Sequence, residues 1–138
     1  MSSPKPPTVA VVDDDEAVRA ALGNLLASLD LGVAAFASAE AFLASPACRD
    51  AACLITDVQM PGMSGLDLQR HLAAEGNRIP VIVITAFPQD RLRQQAEAGG
   101  AFGFFAKPFD GRLMIDCIER ALAAKGTLEE SDLHRLVR

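Results

Sequence analysis

Residues 52–65 read Ala52-Cys53-Leu54-Ile55-Thr56-Asp57-Val58-Gln59-Met60-Pro61-Gly62-Met63-Ser64-Gly65. The first five residues form an apolar run of strand length that stops at Asp57, and a loop rich in Pro and Gly follows. A strand fixes its residues in a sheet, whereas such a loop is open to solvent. A carboxylate at the junction is therefore both held in place and accessible, which makes Asp57 the first candidate for a reactive group.

Three other apolar runs also end in polar residues. They are residues 8–12 before Asp13-Asp14-Asp15, residues 80–84 before Thr85, and residues 102–106 before Lys107. Segments with the spacing of amphipathic helices separate these runs, and this alternation is typical of a parallel sheet covered by helices on both faces. We therefore expect the polar residues to lie at one edge of a single sheet.

Five strand–helix units predict an α/β fold. This is a doubly wound five-stranded parallel sheet of order 2-1-3-4-5 with five helices, as in flavodoxin and a chemotaxis regulator. The predicted strands are 8–12, 32–36, 52–56, 80–84 and 102–106. The predicted helices are Glu16–Ser28, a short helix capped by Ser38, a helix opened by the Ser64 and Asp67 capping box and running to Ala74, a poorly amphipathic helix after Pro88, and one that begins at Asp110 and stops at Gly126.

Ligands of such sheets bind at the carboxyl ends of the strands, where the winding reverses between strands one and three. This rule places Asp13, Asp14 and Asp57 together, with Thr85 and Lys107 beside them. Three carboxylates repel one another unless a cation joins them, and oxygen-only ligands favour Mg²⁺. A carboxylate can attack phosphorus to form an acyl phosphate, and Mg²⁺, the Lys107 ammonium and the Thr85 hydroxyl would then each neutralise one phosphoryl oxygen.

The same residues resemble the receiver domain of response regulators, the phosphoacceptor part of two-component systems. The resemblance spans residues 8–124 and rests on four motifs in order: Val12-Asp13-Asp14, residues 56–65 around Asp57, Thr85-Ala86, and Lys107-Pro108-Phe109. Residues 36–43, Phe36-Ala37-Ser38-Ala39-Glu40-Ala41-Phe42-Leu43, further resemble the FixJ-type subgroup.

The resemblance implies a role for each matching residue. Asp57 is the expected phosphoacceptor. The expected metal ligands are Asp14 directly, Asp13 mostly through water, Asp57 and the backbone carbonyl of Gln59. Thr85 and Lys107 are expected to hold phosphoryl oxygens, Phe104 to be the aromatic switch, Gln59 and Phe87 to tune hydrolysis, and Pro108 to follow a cis peptide bond.

The implied function is signal transduction rather than catalysis, with slow self-dephosphorylation. A sensor histidine kinase or phosphotransfer protein would donate the phosphoryl group to Asp57. Thr85 would move toward it, Phe104 would follow, and a face made by strand five and its flanking helices would change, which could support a phosphorylation-dependent homodimer. The rival is a haloacid-dehalogenase-like phosphatase with Asp13 as nucleophile; the short chain and the lack of a downstream acidic pair count against it.

Bulk properties set the remaining expectations. The chain has 138 residues, enough for one domain, which we place at 8–125 between a flexible leader (1–7) and a tail that can form one short helix (126–138). A net charge of −5 counts against nucleic-acid binding by this chain, and no apolar run is long enough to cross a membrane. Three cysteines, an odd number, favour the reducing cytoplasm. Two outputs stay open: a stand-alone receiver, or the excised regulatory part of a DNA-binding transcription factor.

Overall fold

The computed structural model describes residues 6–124. It contains one sheet of five parallel strands in the order β2-β1-β3-β4-β5, as the sequence predicts. The strands are β1 (Thr8–Val12), β2 (Gly32–Phe36), β3 (Cys53–Asp57), β4 (Val81–Thr85) and β5 (Gly103–Ala106). Since β1 and β3 are neighbours although β2 lies between them in sequence, the winding reverses at this pair.

Six helices connect the strands within the described residues. They are α1 (Glu16–Ser28), α2 (Ala39–Leu43), α3 (Ala47–Asp50), α4 (Gly65–Ala74), α5 (Asp90–Ala98) and α6 (Gly111–Ala124). The sequence predicts one helix between β2 and β3, whereas the structure has two short ones. Pro46 explains the division, because it has no N–H to donate to a continuing helix and disfavours helical backbone in the residue before it.

The helices begin where the predicted capping residues lie. The side chains of Asp15, Ser38 and Asp110 accept backbone N–H groups at the starts of α1, α2 and α6, and Ser64 and Asp67 form the predicted capping box. The predicted stop at Gly126, the tail, and most of the leader lie outside the described residues.

Two apolar cores lie on opposite faces of the sheet, because successive strand residues point to opposite sides. One contains Leu54 and Val83 with residues of α2, α4 and α5. The other contains Ile55 and Ile84 with residues of α1 and α6. The central strands β3 and β4 are buried along their whole length. Their carboxyl ends are therefore fixed from both sides.

The central strands extend one residue further than predicted. Asp57 is the last residue of β3 and pairs with Ile84, while Thr85 is the last residue of β4 and pairs with Ala106. The backbone ladder continues beyond both, since Val58 N–H donates to the Ile84 carbonyl and Lys107 N–H to the Thr85 carbonyl. The candidate reactive residues thus belong to the sheet itself rather than to the loops after it.

Gly65, the first residue of α4, packs directly on the end of β3. A Cβ atom placed on Gly65 would lie 1.9 Å from the carbonyl oxygen of Asp57, and the Gly65 N–H donates to the Val58 carbonyl. No side chain fits in this contact. The helix can approach the strand only because residue 65 has none.

Substituting Gly65→Ala is therefore expected to lower the free energy of unfolding by about 3 kcal/mol, since the methyl group must push α4 away from β3. Urea unfolding followed by circular dichroism measures the change.

The matched control is Gly23→Ala in α1, where a Cβ meets nothing within 4 Å. This substitution should stabilise the protein by roughly 0.5–1 kcal/mol, because Ala is the better helix former. If Gly65→Ala were as harmless as Gly23→Ala, the close approach of α4 to β3 would be contradicted.

Candidate functional site at the carboxyl edge of the sheet

An acidic cluster lies where β1 and β3 end side by side. Asp13 and Asp14 follow β1, and Asp57 ends β3, so that one carboxylate oxygen of each lies within 4.8 Å of the others. Asp13 is 0% exposed and Asp57 is 5% exposed, whereas Asp14 faces solvent. The three carboxylates that sequence reasoning expected to meet do so, and two of them lie inside the protein.

Lys107 provides a positive charge at this cluster. It follows β5, and its Nζ is 2.9 Å from Asp13 Oδ2 and 3.4 Å from Asp57 Oδ1. Burial by itself would lower the pKa of Lys107, but the close contact with the Asp13 carboxylate and the charges of Asp57 and Asp13 raise it above its usual value. The Lys107–Pro108 peptide bond is cis, as the resemblance implies.

The surroundings of Asp57 disfavour its ionised form. Burial first, and then the negative charge of Asp13, raise the pKa of Asp57 from 3.8 to about 6, although Lys107 and the Val58 N–H lower it. The Val58 N–H donates to Asp57 Oδ1 at 2.9 Å. One ammonium therefore does not balance the charge that the fold concentrates here.

The residues present fit a divalent cation. Asp13 Oδ2 is fully buried and has no hydrogen bond of good geometry, so its only compensation within the described residues is the nearby Lys107 charge. Buried carboxylate oxygens normally have such partners. An orphaned oxygen beside two further carboxylates forms an all-oxygen donor set, which suits Mg²⁺.

Thr85 completes the edge at the end of β4 and is 0% exposed. Its hydroxyl donates a hydrogen bond to Gln59 Oε1 at 2.8 Å and accepts one from the Phe87 N–H at 3.1 Å. The sequence does not predict this side-chain contact between Gln59 and Thr85; it predicts for Gln59 only a backbone metal ligand and an influence on hydrolysis. The parallel pairing of β3 with β4 could have suggested it, because it brings residues that follow Asp57 close to Thr85.

Phe104 and Phe87 differ in their surroundings. Phe104, on β5, is half-buried against the core that contains α5, and the guanidinium carbon of Arg93 lies 4.7 Å from its ring centroid, a cation–π geometry. Phe87, in the loop after β4, is 63% exposed. The predicted switch aromatic is thus packed, while the second aromatic stands at the rim of the site.

The loop that follows Asp57 has an external tether that sequence reasoning also missed. Glu40 on α2 accepts a hydrogen bond from the Met63 N–H at 2.9 Å, and this bond lowers the pKa of Glu40. The preceding residue, Gly62, has a φ of 77°, a conformation that favours glycine. The tether joins the loop to α2, which packs on the same face of the sheet as α5 but near β1 and β2 rather than β4 and β5.

Comparison with known proteins agrees with this fold and identifies a family. A family model described as "Response regulator receiver domain" matches residues 9–119. The response regulator protein TmoT of Ectopseudomonas mendocina is 44% identical over 114 residues, which are 83% of this chain and 52% of TmoT. The transcriptional regulatory protein FixJ of Azorhizobium caulinodans is 41% identical over 126 residues, 89% of this chain and 60% of FixJ. The crystal structure of FixJ-N matches with a TM-score of 0.76 at 40% identity, over 89% of this chain and 96% of that one.

The doubly wound sheet with its acidic carboxyl edge, together with the family match, places the chain in a class of phosphoacceptor signalling domains. This chain belongs to that class as a member of the response regulator receiver domain family, and FixJ is among its relatives. Phosphorylation on Asp and binding of Mg²⁺ are general properties of the family. The chain spans little more than half the length of TmoT and FixJ. Among the described residues, no helix is long and apolar enough to cross a membrane.

The raised pKa of Asp57 predicts that Asp57→Asn increases the free energy of unfolding, by an amount that depends on pH. A carboxyl whose folded pKa of about 6 exceeds its unfolded value of 3.8 stabilises the fold only while protonated, so wild-type stability should fall as pH rises from about 4 to about 6. The neutral Asn avoids this loss. Without Mg²⁺, we expect the variant to be more stable than wild type by about 2 kcal/mol above pH 6, and equally stable near pH 4.

Urea unfolding across this pH range, with metal chelated, measures the difference. Asp67→Asn is the control of opposite sign, because hydrogen bonds with Ser64 lower the pKa of Asp67 and its replacement should slightly destabilise the protein at neutral pH. Equal stability of Asp57→Asn and wild type at pH 7.5 would show that Asp57 is not in an electrostatically costly environment.

Proposed function

We propose that Asp57 of this chain accepts a phosphoryl group from the phosphohistidine of a sensor histidine kinase or of a phosphotransfer protein. A carboxylate oxygen of Asp57 attacks phosphorus, the phosphorus–nitrogen bond breaks, and its electron pair returns to the imidazole. The observation that carries this proposal is the placement of Asp57, buried at a strand end and 3.4 Å from the Lys107 ammonium. Membership of the receiver family supports it.

The remaining site residues would stabilise the transferred group. Asp13, Asp14, Asp57 and the Gln59 backbone carbonyl would hold Mg²⁺, which supplies positive charge to a phosphoryl oxygen. Lys107 is already close to Asp57 and would pair with a second oxygen. The Thr85 hydroxyl would donate to a third after leaving its present partner. The protein's contribution is positioning and charge, because phosphoryl transfer requires little else.

The switch would be a shift between two packings of β5 and its flanking helices. When Thr85 moves, Phe104 can enter the space that it leaves, and the Arg93 guanidinium must then lose the ring on which it lies. A phosphoryl group drives such a change only because it binds one packing better than the other. Helix α5 would rearrange most easily, since Ala96 is its only fully buried residue.

The proposed site predicts labelling of a single residue. Incubation of the chain with acetyl phosphate and Mg²⁺ is expected to add one phosphoryl group, detected as a mass increase of the intact protein. Asp57→Ala should abolish the increase, because no other residue supplies the nucleophile, and chelation of Mg²⁺ should greatly reduce it. Asp90→Ala, an exposed aspartate at the start of α5, is the matched control and should label like wild type. Undiminished labelling of Asp57→Ala would refute the assignment, and would direct attention to Asp13 and the phosphatase alternative.

Phe87 and Gln59 are proposed to tune hydrolysis of the phosphoryl group. The Phe87 ring is 63% exposed, but its backbone N–H is bound to the Thr85 hydroxyl, so movement of Thr85 would carry residue 87 with it. If the ring then covers the site, Phe87→Ala should shorten the phosphoryl lifetime several-fold, because water gains access. The lifetime is measured by following the disappearance of the added phosphoryl mass from the intact protein after the donor is removed. An unchanged lifetime would end this proposal for Phe87.

The output face is proposed to mediate phosphorylation-dependent homodimerisation. It consists of β5 with α5 and α6, and on α6 it carries Leu113, an apolar side chain that is 60% exposed. Leu113→Arg is expected to prevent association in sedimentation experiments with acetyl phosphate, because it places a charge in the apolar contact, and to leave labelling of Asp57 intact. Association of the variant equal to that of wild type would exclude this face.

The consequence of that switch depends on the native gene product. A stand-alone receiver would act by protein contact. The relatives favour the other alternative, the regulatory part of a longer regulator, because TmoT is a response regulator and FixJ a transcriptional regulatory protein, both considerably longer than the matched region. Sequencing past the codon for Arg138 distinguishes the two. In either case the chemistry at Asp57 is assigned to the cytoplasm, in keeping with the free cysteines Cys48, Cys53 and Cys117.

A further inference from the structure

We propose that the side chain of Gln59 is a positioning residue that holds the Thr85 hydroxyl in its unphosphorylated position and so opposes the switch. The inference rests on the proposed function of Asp57 and deepens it. The hydrogen bond between Gln59 and Thr85 must break before Thr85 can bind the phosphoryl group. Its loss offsets part of the free energy that the phosphoryl group contributes, and so reduces the shift toward the switched packing.

The Thr85 hydroxyl can donate only one hydrogen bond. A threonine hydroxyl has one proton to donate, and that of Thr85 is donated to Gln59 Oε1 at 2.8 Å. Ionised phosphoryl oxygens can only accept. The Gln59 amide carbonyl and a phosphoryl group on Asp57 therefore compete for the same proton, and Thr85 cannot serve both.

The two partners of this hydrogen bond differ in burial. Thr85 is fully buried whereas Gln59 is exposed, so the two residues lose different amounts when their bond breaks. A released Gln59 amide can turn to water at little cost. A released Thr85 hydroxyl becomes a buried donor without a partner, which is unfavourable unless the phosphoryl group accepts it. The bond thus stabilises the resting position until a phosphoryl group replaces the acceptor.

The Phe87 amide can report the position of the Thr85 hydroxyl. The Phe87 N–H donates to the same Thr85 oxygen at 3.1 Å, so the Phe87 amide is sensitive to where the hydroxyl lies. Phe87 also leads into α5, which begins at Asp90. Release of Thr85 by Gln59 should therefore be visible at the Phe87 amide before any partner binds.

The test uses beryllofluoride, a phosphoryl mimic that binds an aspartate carboxylate and is not hydrolysed. Its affinity for the 138-residue chain with Mg²⁺ therefore reports the switch free of any effect of Gln59 on hydrolysis. Gln59→Met removes the acceptor, keeps the length of the side chain and leaves the backbone carbonyl in place. Thr85→Val removes the hydroxyl with little change of shape, and Gln95→Met, an exposed residue on α5, is the matched control.

We expect Gln59→Met to bind beryllofluoride about two- to fivefold more tightly than wild type, as loss of one competing hydrogen bond implies. In nuclear magnetic resonance spectra without beryllofluoride, its Phe87 amide signal should move part of the way toward the position seen in the bound wild type. In the Thr85→Val background, Gln59→Met should change nothing. Gln95→Met should match wild type.

Two results would overturn the inference alone: unchanged or weaker binding by Gln59→Met, or an equal gain in the Thr85→Val background, which would mean that Gln59 acts by another route. The proposed function fails separately. If wild type does not bind beryllofluoride, or if Asp57→Asn binds it equally well, Asp57 is not the phosphoacceptor and the inference falls with it.

Discussion

The fold concentrates like charges at one end of its sheet, and most of the structure around the site responds to that. Asp13 and Asp57 are buried within a few ångströms of each other because β1 and β3 are adjacent, and the sheet order permits no other arrangement. Lys107 reaches both from β5. With this single positive charge, the pKa of Asp57 is still raised, and within residues 6–124 Asp13 Oδ2 has the Lys107 charge but no hydrogen bond of good geometry. Such an unbalanced site is unfavourable for the empty domain and suits a domain that receives a cation and a phosphoryl group.

The buried and the exposed residues of the site lie in separate parts of the structure. Asp57 and Thr85 end the two strands that are buried on both faces, and the backbone ladder continues past them. Gln59, Phe87 and most of α5 lie outside this region and are exposed. In the proposed switch, a side-chain rotation at Thr85 would therefore reach α5 without disturbance of the strand that carries Asp57.

Much of the fold could be predicted from local pattern. The runs that form strands, the helices between them and the capping residues follow from periodicities of two or 3.6 residues and from side chains that bind nearby N–H groups. The gathering of Asp13, Asp14 and Asp57 followed from strand order. Prediction failed where the cause was not periodic: Pro46 divided a connection into two helices, and the pairing of β3 and β4 ran one residue further than their apolar runs.

The unforeseen contacts share one property. Gln59 with Thr85 and Glu40 with Met63 join residues 26 and 23 positions apart, and Arg93 with Phe104 joins neighbouring elements through a ring face. Each depends on a side-chain rotamer and on the exact packing of two elements. A single sequence contains neither, since its periodicity specifies the face on which a residue lies and not the partner that it finds there.

The Glu40 tether gives the domain an asymmetry of construction. Near α2, the loop after Asp57 is anchored by the Glu40 carboxylate, whose pKa is lowered by its hydrogen bond with the Met63 N–H. Near α5, the corresponding restraint is the neutral amide of Gln59, with which a phosphoryl group on Asp57 would compete under the proposed switch. The contact with α2 would then persist while the contact beside α5 is exchanged. The proposed change would therefore reach α5 and leave α2 in place.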